Sequence, residues 1–88
     1  MTINETRKLL MEINTVYPRW KVENPEETVK AWHFVLADYE AVKVKIAFKD
    51  YVRNDKHGYA PSAAQIISII NSKPNIDYDA LAQELLGV

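Results

Sequence analysis

Cysteine is absent from this 88-residue chain, so neither a disulfide framework nor a thiolate metal site is available, and stability has to come from packing. Glycine is scarce, occurring only at Gly58 and Gly87. Without a glycine-rich loop, backbone amides have no way to close on a phosphate, and the Walker lysine motif is missing as well. Nucleotide hydrolysis is not expected. Histidine is limited to His33 and His57, neither followed or preceded by a second imidazole at helical spacing. Isolated histidines outside any metal or nucleophile motif are structural or solvated far more often than catalytic. Long apolar runs are lacking too. Ala63 to Ile70 is interrupted by Gln65 and Ser68, and falls well short of the ~20 residues that cross a membrane. The patch Leu9 to Met11 behind Arg7 and Lys8 is too brief for the apolar region of a secretory signal. These absences predict no catalytic residues, no cofactor, no metal site and no membrane span, and they are compatible with a reducing cytoplasm.

What remains is an ordinary globular composition, 48% hydrophobic and 26% charged. A chain of this size buries about 60 to 65% of its unfolded surface, which allows one modest core. Net charge is −1, but it is unevenly spread. Residues 1–73 hold all 11 Lys and Arg against nine acids, whereas residues 74–88 hold three acids and no base. The division predicts a helical domain over 1–73 and an acidic C-terminal segment over 74–88, either a short helix or a flexible tail.

Start and stop signals divide the chain into helical segments. Thr2-Ile3-Asn4-Glu5 has the form of a capping box, and Leu9, Leu10, Ile13 and Val16 follow at helical spacing until Tyr17-Pro18. Asn24-Pro25-Glu26-Glu27 is a second start, placing Val29, Trp32, Val35 and Leu36 on one face of a helix that runs to about Leu36. Asp38 is expected to cap a third helix with an inward stripe of Ala41, Val44, Phe48, Tyr51 and Val52. Ser62 to Gln65 opens a fourth helix with another capping box, and its Ile66, Ile67, Ile69 and Ile70 need burial on more than one side. Beyond Lys73-Pro74, Asp77 can cap a fifth short helix to Leu86. The fold class expected is all-α, a small single-domain bundle of four to five short helices.

Two features suit binding. Lys45, Lys49 and Arg53 recur every four residues along the third helix, with Lys56 just beyond, and form a basic ridge on the face away from the core. That ridge is either a solvated face or a surface that contacts phosphates or an acidic partner, which would show as salt-dependent binding. Tyr78, Leu81, Leu85 and Leu86 fall at the i, i+3, i+7 and i+8 spacing of a helix that lays one face into a groove. The same spacing serves equally for folding back onto the chain's own bundle. Gly58 to Ile66 also looks like the opening of a helix-turn-helix, but the helix expected after it carries Asp77, Asp79 and Glu84 and no Lys or Arg. Carboxylates facing phosphates oppose DNA binding, so a helix-turn-helix-like regulator is the alternative reading, as is an interaction protein with another target.

In order and spacing, Tyr17-Pro18 with Trp20, Trp32 with Leu36, Asp38 and Tyr39, Val42, Ala47, Tyr51-Val52, Tyr59 with Pro61-Ser62, and Gln65-Ile66 resemble the loader and inhibitor proteins of phage replicative helicases. The likeness runs from about residue 5 to 70. It implies an all-helical N-terminal domain followed by a flexible C-terminal segment that contacts a DnaB-type hexameric helicase. It also implies restraint of that helicase until delivery at an origin, with an origin-binding protein as a further partner. A monomer in the cytoplasm of a bacterial host, with no direct nucleic-acid contact, is the corresponding expectation.

Overall fold

The computed structural model describes residues 1–72, which form four α-helices: α1 (Ile3–Val16), α2 (Pro25–Leu36), α3 (Ala41–Asn54) and α4 (Ala63–Ser72). No strand occurs among the described residues, and the class is all-α. The segment expected to form a fifth helix lies outside them.

Two of the capping boxes close as expected. The Thr2 hydroxyl accepts the Glu5 N–H at 3.1 Å while the Glu5 carboxylate accepts the Thr2 N–H at 2.8 Å. Ser62 and Gln65 make the same reciprocal pair at 3.1 and 2.8 Å. Each pair satisfies amides that the first helical turn would otherwise leave without partners. The two remaining starts differ. Asn24 does cap α2, with Pro25 in the first turn, but its side chain makes no capping hydrogen bond. Asp38 does not cap α3. It falls in a tight turn closed by Tyr39 N–H to Leu36 O at 3.0 Å, and Glu40, in extended backbone, takes the cap position without a side-chain bond. The Met1 ammonium fastens this turn to the head of α1, donating to Ala37 O at 3.1 Å and Tyr39 O at 2.7 Å.

The core gathers residues from all four helices: Leu9, Leu10, Ile13 and the adjoining Tyr17, then Val29 and Leu36, then Val44, Ala47 and Phe48, then Ile66 and Ile70. α3 packs along α4, α1 packs along α2, and α2 also touches α4. The isoleucine-rich α4 thus has two neighbours, and Ile67 and Ile69 are half-buried beside the fully enclosed Ile66. Among the described residues Thr6 is the one buried polar side chain, and its hydroxyl donates to Thr2 O at 2.9 Å.

Three side chains depart from the expected stripes. Val16 is 48% exposed, and its place at the end of α1 is taken by Tyr17. Val35 is 41% exposed because α2 is rotated to bury Val29 and Leu36, with Trp32 at the margin against the Trp20 ring, 6.0 Å between centroids. Ile46 is buried although it stands outside the central cluster.

Candidate interaction surfaces

α3 presents the basic ridge. Lys49 and Arg53 are exposed on it, Lys56 is exposed in the loop that follows, and Lys45 is half-buried. Lys45 sits near the head of α1. There the Glu5 carboxylate is held below its ordinary range first by the Thr2 N–H, then by the Thr2 hydroxyl, the Met1 ammonium and Lys45 itself. The amphipathic pattern of α3 fixes this arrangement, since burying Val44, Ala47 and Phe48 turns the lysines at 45 and 49 away from the core.

The connection from α3 to α4 is built around Asp55. One carboxylate oxygen accepts the Tyr17 hydroxyl at 2.8 Å, and the other accepts the His57 N–H at 2.9 Å and shares the Gly58 N–H at 3.1 Å. The His57 N–H and the Tyr17 hydroxyl therefore hold the Asp55 carboxyl below the ordinary range, and the Tyr17 phenol is raised by burial and by the adjacent carboxylate. Gly58 occupies the left-handed region at φ 75°, which a side chain would disfavour. Tyr51 adds a second tie, donating its hydroxyl to Tyr59 O at 2.6 Å, and burial raises its phenol too. The outcome is a fastened loop whose outer surface is Tyr59, 75% exposed, with Lys56 and His57.

α2 presents a face that the sequence reading overlooked. Phe34 is 85% exposed, and Ala31 and Val35 are exposed beside it. Together they make an apolar strip on the outer side of α2, and it is contiguous apolar surface, rather than a single ring, that marks interaction sites. The available signal was Phe34's position off the Val29, Trp32 and Leu36 stripe.

Open grooves accompany these faces. One of about 410 Å³ runs between α1 and α2 over Leu10, Trp20, Val22 and Val29, and one of about 510 Å³ lies over Met11, Val16 and Phe48. Neither brings together the converging polar groups of a small-molecule site. Among the described residues no three His, Cys, Asp or Glu side chains are grouped to hold a metal ion, and no helix is long and apolar enough to cross a membrane. His33 is half-buried in α2 and His57 is exposed in the loop. α4, the first helix of the helix-turn-helix alternative, carries no Lys or Arg. Tyr78, Leu81, Leu85 and Leu86, expected to contact a partner, lie outside the described residues.

The class defined by these features is a small all-α domain whose chemistry, in the residues described, lies in exposed helical faces. A family model for the N-terminal domain of the phage helicase loader and inhibitor gp39P matches residues 1–67, from the head of α1 into the middle of α4. The chain belongs to that family, the phage replicative-helicase loader and inhibitor proteins, which are replication accessory proteins. No curated protein and no solved structure matches the chain.

Proposed function

We propose that this protein is a phage DNA-replication accessory factor that binds a DnaB-type hexameric replicative helicase, restrains its activity and helps to load it at an origin. Membership of the loader and inhibitor family over residues 1–67 is the observation that carries this reading. The helicase contact is assigned to the acidic segment, through Tyr78, Leu81, Leu85 and Leu86. Full burial of four such side chains is worth about 6 to 12 kcal/mol before ordering costs of about 2 to 5 kcal/mol are subtracted, which suits a releasable contact. The protein acts by differential binding, as a monomer in the host cytoplasm, holding one helicase state in preference to another. It has no catalytic step of its own, and an origin-binding protein is its second partner.

Gel filtration of the full chain with the cognate helicase, with and without ATP, tests the proposal. Comigration under at least one condition is expected. Failure to comigrate under both overturns it, and tight duplex DNA binding that weakens steeply with salt would favour the helix-turn-helix alternative.

A further inference from the structure

α1 packs along α2 and α3 packs along α4, and between α1 and α3 an open groove of about 510 Å³ remains. Lys8, Met11, Glu12, Thr15 and Val16 line it from α1, and Phe48 lines it from α3. These α1 residues recur at spacings of three and four, so they form one stripe of that helix. Met11 is 66% exposed and Val16 is exposed beside it, which leaves the apolar surface of the groove uncovered. A flexible thioether next to a branched side chain adapts readily to the side chains of an incoming helix.

Cations dominate both rims. On α3, Lys45 and Lys49 stand three positions before Phe48 and one after it, with Arg53 one turn beyond Lys49, and Lys8 faces the groove from α1. Lys8, Lys49 and Arg53 make no ion pair among the described residues. Glu12 is the acid in the lining, whereas Glu5, near Lys45, is engaged by the Thr2 N–H and hydroxyl. The walls from Lys8 to Val16 and from Lys45 to Arg53 are each about 12 Å long, a little over two helical turns. A helix of that length lays one apolar side on the floor and turns its flanks to the walls. Nucleic acid fits less well, because single strands are gripped by exposed rings on which bases stack, and Phe48 is buried. A basic partner meets repulsion from both rims.

We propose that the groove between α1 and α3 receives an amphipathic helix of a partner protein, its apolar side on Met11 and Val16 and its acidic flanks beside Lys8, Lys45, Lys49 and Arg53. The basic ridge is then one wall of a docking site. The contact lies in the helical body, uses none of the residues assigned to the helicase and does not depend on the helicase reading.

The full chain, labelled with ¹³C at the Met and Val methyl groups, provides the test. The probe is a synthetic helix of about 15 residues with leucine along one face and glutamate elsewhere. A second peptide with lysine in place of glutamate, and a single-stranded oligonucleotide, serve as comparisons. The acidic peptide is expected to shift the Met11 and Val16 methyl signals to saturation, with an affinity that falls as salt rises. Met11→Asp, and separately Lys8→Glu with Lys49→Glu, should each weaken binding about tenfold or more. All three positions are exposed, so the helical circular dichroism signal should persist. Phe34→Ala, outside the groove, should bind as the parent chain does. Absence of the Met11 and Val16 shifts, equal binding of the lysine peptide, or indifference to both groove variants overturns the proposal. Weakening by Phe34→Ala alone moves the contact to α2 and overturns it as well. A Met11 shift produced by the oligonucleotide makes the groove a nucleic-acid site. A Met11 signal that moves without peptide, with protein concentration or in L81D/L85D, shows the groove taken by a second copy or by this chain's own acidic segment. Either result defeats the proposal.

Discussion

Phe34 and Leu36 are two residues apart on α2, similar in apolar character, and the structure assigns them opposite environments. Leu36 is fully enclosed at 0% exposure, whereas Phe34 is 85% exposed. Leu36→Ala removes core atoms and leaves a cavity, at a cost of about 2 to 5 kcal/mol. That is a large share of the total stability of a domain this small. At about 4 to 8 °C per kcal/mol for domains of this size, the midpoint of thermal unfolding should fall by on the order of 8 to 40 °C. Phe34→Ala withdraws a ring that is mostly in water already. With roughly 15% of its surface covered, the lost burial is under about 0.5 kcal/mol, and alanine's higher helix propensity offsets it by a similar amount. The two variants, followed by circular dichroism on heating, should therefore separate widely, with Phe34→Ala within about 3 °C of the parent chain. Comparable losses for both would refute the rotation of α2 on which the exposed face depends.

Four other measurements probe different parts of the molecule. Ser62→Ala removes the hydroxyl that accepts the Gln65 N–H, and should lower stability by about 1 kcal/mol in urea unfolding with an unchanged slope. The Asp55 carboxyl is held below its ordinary range, so its contribution is complete above the unfolded-state pKa and is lost as pH falls through the lowered folded value. Asp55→Asn should accordingly flatten the fall in thermal stability as pH drops below about 5, and an unaltered profile would contradict the assigned hydrogen bonds. Tyr17→Phe deletes one of the bonds that lower that pKa, and should move the Asp55 carboxyl titration, followed by ¹³C NMR, upward toward the ordinary value. Leu81→Asp with Leu85→Asp should abolish helicase comigration while helical content remains, whereas retained binding would place the contact elsewhere.

Much of the fold was legible because its signals are local. A capping box needs only a side chain and an amide three positions apart, and Thr2 with Glu5 and Ser62 with Gln65 both closed as written. Tyr17-Pro18 marked the end of α1, and the stripe of Val44 and Phe48 marked the inner side of α3. Asp38 misled because a competing local structure, the Leu36–Tyr39 turn fastened by the Met1 ammonium, displaced it from the cap. The basic ridge was legible as a row, since four-residue spacing on a helix needs no tertiary information. The Asp55 junction was not, because it joins Tyr17 to a carboxylate 38 positions away.

The sequence by itself determined the helical class, the positions at which three of the four helices begin, and the separation of charge between the body and the last 15 residues. Periodicity and capping depend on neighbours within one turn, so they survive without knowledge of the fold. Only the tertiary structure decided how far each helix turns about its own axis. That rotation sets Val35 and Phe34 outward and brings Tyr17 inward in place of Val16. It is chosen by the packing of α2 against α1 and α4 and of α3 against α4, a sum over contacts distant in sequence that no single segment encodes.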